Sequence, residues 1–348
     1  MKKTLLLSAA LLAVCPAYAQ TQPQLLFTNT KLDMTYPDVA GDYLVYNQRL
    51  RKRHQVMQVQ RSQLDGSAQH VDAKFNNEIV RYGIAIANGD IAFVSNRLGV
   101  ITPWLNTSSK QVAIHTGIFH SLLMPNHLDV SSDGQTWVFD STLEAARTPR
   151  LSKQFSDVKL KHELQGQAWR MYHERLWQTK SGYPETQKGL QNTFEKPYLF
   201  AFYHGSNDVT MLNDGFDASL SQDGKSMVFV RETRGNFDLW LQNIDGTGLK
   251  RLTKNTYADV EPSLSPDGKM VAFVSNRDSR GDVLQTFIHV LDLNTGKITA
   301  VTSGMGITDG GPAWLDNNTI IFHSNRASQA PSTDTVDNWR LWTVALPK

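Results

Sequence analysis

Read as alternating apolar and polar positions, the stretch Glu261 to Ser303 breaks into four short β patterns. "EPSLS" passes through Pro266-Asp267-Gly268 into "KMVAFVS", the polar "NRDSRGD" separates this from "LQTFIHVLDL", and Asn294-Thr295-Gly296 turns the chain into "KITAVTS". Runs rich in β-branched and aromatic residues, bounded by such turn residues, are strands. Pro fixes φ for the first turn position and Gly supplies the positive φ that follows. The stretch before it, Asp214 to Thr253, repeats the plan with "DASLS", "QDG", "KSMVFVR", "DLWLQNI", "DGTG" and "LKRLT".

Aligned on the apolar residue of the second strand, the pattern recurs at Val45, Phe93, Phe139, Phe229, Phe273 and Phe322, in steps of 48, 46, 90, 44 and 49 residues. Four strands per unit at a period in the forties predict propeller blades. The long step holds one blade, not two. After Phe139 the segment "KPYLFAFYHGSNDVTML" supplies only a third and a fourth strand. Ahead of it "KHELQGQAWRMYHERLW" places Leu164, Trp169, Tyr172, Leu176 and Trp177 near helical spacing. The expectation is an all-β, six-bladed propeller with a partly helical insertion, residues 143–195, in the third blade. Its last unit has only three strands, "GPAWL", "NTIIFHS" and "WRLWTVAL", so "QLLFT" at Gln24 to Thr28 is expected to supply the fourth and close the ring without an open edge.

The pentapeptide "FVSNR" appears at Phe93 and Phe273, and "FHSNR" at Phe322. Three copies at the same point of successive blades are what symmetry produces, whereas an active site is built once. The motif is expected to pin the loop after the second strand and to bridge to a neighbouring blade.

At "SLSPDGKMVAFVSNRDSRGD" the chain resembles the Pro-Asp-Gly propeller repeats of the TolB family and related six-bladed propellers. The resemblance implies the fold over most of the chain. It leaves function open, because similar propellers act as binding platforms, lyases, lactonases and peptidase gates. The α/β domain that precedes the TolB propeller has no counterpart in this reading.

The chain opens with Lys2 and Lys3, an apolar "TLLLSAALLAV" and "AYA" at 17–19, the three parts of a cleavable secretory signal. Residues 1–19 are therefore read as the signal and 20–348 as one propeller domain of a periplasmic protein. The single cysteine, Cys15, falls inside the signal, so disulfides play no part. No later stretch approaches the roughly 20 apolar residues of a membrane helix. Without the signal, 33 basic residues face 33 acidic ones, which speaks against nucleic acid or anionic lipid as partner. The basic cluster Arg49, Arg51, Lys52, Arg53 and His54 reads as a solvated loop. Trp240, Trp314, Trp339 and Trp342 read as packing between blades.

In a propeller the first strand of each blade lines the central channel. Taking the residue at the entry of each first strand predicts a ring of Tyr36, Arg81, His127, Asp217, Glu261 and Gly311 around one mouth, roofed by Trp169 and Tyr172 of the insertion. A concave site with a few convergent polar groups is the usual form of a ligand pocket. The expected role is a monomeric platform for an envelope protein or a carbohydrate ligand. The competing reading is an enzyme, a lyase or lactonase, with His127, Tyr36 and Arg81 as base, acid and carboxylate neutraliser in a β-elimination. No cofactor is expected. A Ca²⁺ ion held by Asp217 and Glu261 with Asp259 or Asp309 is the one metal alternative, since calcium needs several oxygen ligands.

Overall fold

The computed structural model describes residues 22–27, 33–49, 57–74, 80–95, 102–114, 125, 127–142, 197–206, 209–326 and 339–347. Six antiparallel four-stranded sheets form the six blades. Blade 1 runs over Asp33–Lys74, blade 2 over Val80–Ala113, blade 3 over Leu128–Asp214, blade 4 over Phe216–Arg251 and blade 5 over Asp259–Ala300. Blade 6 takes its three inner strands from Asp309–Ala345 and its outer strand from Gln24–Leu25, in the register Gln24↔Thr343 and Leu25↔Trp342. The expected closure therefore holds. The only helical turn among the described residues is a 3-10 turn at Arg277–Ser279.

Blade 3 pairs Thr136–Thr142 with Pro197–Tyr203 and then Val209–Asp214, as the strand patterns require. Residues 143–196, which include the expected insertion with Trp169 and Tyr172, lie outside the described residues, as do the signal segment and its cysteine.

The cores between blades follow from the ladder residues. Phe93, Phe139, Phe229, Phe273 and Phe322 are essentially buried, and Val45 with them. Blades 1 and 2 approach so closely that Gly83 has no room for a side chain, since a Cβ there would lie 2.6 Å from Val45 and Val59.

In blades 5 and 6 the "SNR" motif is architecture, while Asn96 and Arg97 of the copy in blade 2 lie outside the described residues. In blade 5, Ser275 Oγ and Arg277 Nη2 both donate to Asp259 Oδ1 at 2.7 Å, and Asn276 Oδ1 accepts the Ala258 N–H at 2.9 Å. In blade 6, Ser324 Oγ donates to Asp309 Oδ1 at 2.6 Å, Arg326 holds both carboxylate oxygens, and Asn325 Oδ1 accepts the Thr308 N–H at 2.8 Å. The bridge between blades is also present in blade 6, where Arg326 Nη1 donates to Ser303 O of the chain leaving blade 5 at 2.8 Å. Thr302 Oγ1, from the chain leaving blade 5, donates to Asp309 Oδ2 at 2.6 Å.

A second set of links stitches the blades along the channel. Inner-strand side chains accept backbone N–H groups of the next blade: Asp38 Oδ2 from Ala85 at 2.7 Å, Asp129 Oδ2 from Leu220 at 2.7 Å, and Ser219 Oγ from Leu264 at 3.2 Å. Blade 2 carries Ile84 at the equivalent register, which has no oxygen to offer. There the Val130 N–H turns to Asp129 Oδ1 of its own blade, at 2.8 Å.

Candidate functional site

The inner strands enclose a channel cavity of about 510 Å³. It extends from Tyr36, Tyr82, His127, Asp217, Glu261 and Gly311 at one level to the exposed turn residues Gly41, Ala87, Gln222 and Asn317 at the other. The entry residues of the inner strands thus form one end of its described lining, and the turns that join first to second strands form the other.

Backbone conformation explains why those residues meet. Tyr36, Tyr82, Asp217, Glu261 and Gly311 all have φ between 45° and 53°, in the left-handed region, and each stands at a register shift of its strand. An extra residue in a bulge re-aims its side chain, and here five bulges aim at one axis. Only one of the five is glycine. At Gly311 a Cβ would come within 2.6 Å of the His323 ring and 3.0 Å of the Tyr36 ring. In blade 3 the same level is taken by His127, whose carbonyl accepts the Asp140 N–H at 3.2 Å.

Five members of the expected ring, Tyr36, His127, Asp217, Glu261 and Gly311, therefore line the cavity. In blade 2 the left-handed position belongs to Tyr82, one residue beyond Arg81, whose backbone pairs with Val94. Strand alternation sets a period of two, and it does not reveal on which residue a bulge falls.

Lateral contacts link members of the ring. Tyr36 meets Tyr82 edge-on at 5.5 Å and His323 at 4.9 Å, and Tyr82 meets His127 at 4.9 Å. Tyr36 Oη donates to Glu261 Oε1 at 3.2 Å, while Glu261 Oε2 accepts the Gly311 N–H at 2.7 Å. His323 Nδ1 accepts the Tyr36 N–H at 3.3 Å, so in this arrangement that nitrogen carries the lone pair.

Below the ring lie two carboxylates absent from the sequence reading. Asp38 and Asp129 both line the cavity. Burial pushes the Asp38 carboxyl up to about 6, against the opposing pull of the Ala85 and Val39 amides. Asp129 is pushed up to about 7, by burial first and by the charge of Asp38 second. Their signal was present in the sequence as Tyr36-x-Asp38 and His127-x-Asp129, because residues two apart in a strand face the same way. With Asp217, Glu261 and Asp316 they make an acidic wall, and none of the described lining residues is Lys or Arg.

Asp259 and Asp309 do not line the cavity. Both are fully buried at the start of their strands, with their oxygens committed to the arginine, serine, asparagine and threonine partners of the framework. Trp314 packs between blades as expected, its Nε1 donating to Ser263 O at 2.9 Å.

No family model matches the chain. A TolB homolog from Chlorobium luteolum is 36% identical over 153 residues, 41% of this chain. The chain spans a third or less of the length of the curated relatives it matches, 33% of that protein and 21% of another. Among solved structures, TolB from Acinetobacter baumannii superposes with a TM-score of 0.58 at 16% identity, covering 88% of this chain and 65% of that one. A gluconolactonase from Xanthomonas campestris superposes with a TM-score of 0.56 at 12% identity, covering 94% and 90%. Identities at this level speak for architecture. In architecture the chain is a TolB-like six-bladed β-propeller.

Proposed function

We propose that the protein is an exported, periplasmic binding platform of the cell envelope, which takes a protein or carbohydrate ligand at its channel and through the insertion at 143–195. The observation that carries this reading is the channel itself. A cavity of about 510 Å³ is lined by tyrosines, a histidine and five carboxylates and reaches exposed turn residues, on a fold similar to TolB. Cavities of this size with a few convergent polar groups are typical of ligand sites. The signal segment and the absence of a long apolar helix among the described residues agree with export as a non-spanning protein.

The test is capture from envelope extract on the immobilised mature protein, compared with Glu261→Ala, Tyr36→Ala and a deletion of 143–195. The expected result is a partner retained by the wild type and lost from the deletion or from the channel variants. Equal capture by all four proteins overturns the reading.

A second reading, a lactonase using the same cavity, draws on the likeness to the gluconolactonase propeller. Turnover of aldonolactones with no captured partner would favour it. A lyase acting on uronates finds less support. The described wall would meet a substrate carboxylate with Asp38, Asp129, Asp217, Glu261 and Asp316.

A further inference from the structure

Where blade 3 meets blade 4, three donors from three separate stretches of chain converge at the level of the channel ring. His127 immediately precedes the inner strand Leu128–Val130, Asp140 lies in the second strand of the same blade, and Asp217 occupies the left-handed position of the next blade. Asp140 Oδ2 accepts the Asp217 N–H at 3.0 Å, which fixes the two blades in register at this point. One ligating atom from each of His127, Asp140 and Asp217 lies within 4.8 Å of the other two. Among the described residues this is the one such grouping of at least three histidine, cysteine or carboxylate donors.

We propose that His127, Asp140 and Asp217 form a binding site for a divalent transition-metal ion, with Zn²⁺ as the best-fitting occupant.

The donor set decides the class of ion. One imidazole nitrogen and two carboxylates match the ligands of zinc, whereas calcium and magnesium take oxygen donors and leave imidazole aside. Two carboxylates balance the charge of a dication, so the complex is neutral in a wall whose burial penalises net charge. Bond lengths of about 2.0–2.2 Å to nitrogen and oxygen require each donor to move inward by less than about 1 Å. His127 and Asp217 line the cavity, which leaves the remaining coordination position facing it. Three protein ligands with an open fourth position are the pattern of a site that takes water or a ligand.

Of the carboxylates considered for calcium, only Asp217 belongs to this set. Glu261 is held by Tyr36 and Gly311, and Asp259 and Asp309 are held by arginines. The proposal is independent of whether the channel serves a platform or an enzyme.

The experiment is isothermal titration of the mature protein, stripped with EDTA, with Zn²⁺, Mn²⁺ and Ca²⁺ in turn, for wild type, His127→Gln, Asp217→Asn and the exposed control His70→Ala. One equivalent of Zn²⁺ is expected at micromolar affinity or better, with Ca²⁺ weaker. His127→Gln and Asp217→Asn should each weaken Zn²⁺ by at least roughly 10–100-fold, the range that even outer-shell substitutions reach, while His70→Ala leaves it unchanged. Far-UV circular dichroism of each variant confirms that the propeller is retained. Asp217→Asn, close to isosteric, serves if His127→Gln fails to fold. Electron paramagnetic resonance of bound Mn²⁺ gives a readout that needs no turnover. Undetectable Zn²⁺ binding, binding untouched by both ligand substitutions, or tighter binding of Ca²⁺ than of Zn²⁺ overturns the proposal.

Discussion

Two pairs of aspartates, one fully buried and one half-buried in the channel wall, and opposite in company, divide this propeller into framework and site. Asp259 and Asp309 sit at the entry ends of blades 5 and 6, each fully buried, each taken up by an arginine, a serine and one further side chain. Asp38 and Asp129 sit in the channel wall, where the bonds their carboxylates accept come from backbone N–H groups. The first pair gains charged partners that pull against desolvation, although burial still raises the Asp309 carboxyl above its ordinary range. The second gains only neutral donors, and its carboxyls are pushed up to about 6 and about 7. Structural ion pairs and strongly perturbed groups in a cleft are different signals, and the latter mark candidate sites. Repetition of a motif across blades accompanies the first kind of environment and is missing from the second.

The largest effect that sharpens the contrast is expected from Asp309→Ala. It leaves the Arg326 guanidinium without its carboxylate and strips Ser324 and Thr302 of their acceptor. Removing one partner of a buried pair costs about 3–5 kcal/mol. Equilibrium denaturation in urea reads this directly. A loss below about 1 kcal/mol would place Asp309 with the weakly coupled surface pairs and break the comparison.

Next comes a pH effect of opposite character. Because the folded-state carboxyl of Asp38 is raised above the unfolded value of about 3.9, the fold binds this proton more tightly than the unfolded chain does. Its contribution to stability is full below pH 4 and is lost as pH rises through about 6. Asp38→Asn keeps an oxygen for the Ala85 N–H and removes the charge. Measured in EDTA, the variant should lack this descending slope and exceed the wild type by roughly 1–3 kcal/mol at pH 8. Parallel pH profiles for the two proteins would show that the Asp38 carboxyl is not raised in the fold and would break the comparison.

The smallest effect tests the neutral stitching alone. Trp314→Phe removes the donor to Ser263 O between blades 5 and 6 and should cost about 1–2 kcal/mol, with little pH dependence. A pH-dependent loss would tie this seam to the acidic wall.

The blade count, the closure by Gln24–Leu25 and the structural role of Ser-Asn-Arg were legible because each rests on short-range pattern repeated at a fixed period. The level of the channel ring was legible too, and Tyr36, His127, Asp217 and Glu261 meet there. The phase of a bulge was not, which is why Tyr82 stands where Arg81 was expected. Asp140 escaped for another reason. It lies in a second strand, and only the packing of blade 3 on blade 4 brings it to Asp217. Asp38 and Asp129 were within reach of a two-residue spacing, but spacing carries no information on whether a carboxylate has a cation beside it.

The stitches between inner strands also set the dynamics of the ring. Three seams are riveted at the channel by a side chain of one blade on the amide of the next, at Ala85, Leu220 and Leu264. The seam between blades 2 and 3 is not riveted this way, since Ile84 stands where the rivet would be and the Val130 amide is satisfied within its own blade. Ala313 leaves the seam between blades 6 and 1 without this rivet too, but there His323 takes the Tyr36 amide. Between blades 5 and 6 Glu261 takes the Gly311 amide, so the hoop is expected to breathe first between blades 2 and 3. In amide hydrogen exchange Val130 should open by motion of blade 3 alone, whereas Leu220 should wait for two blades to part together.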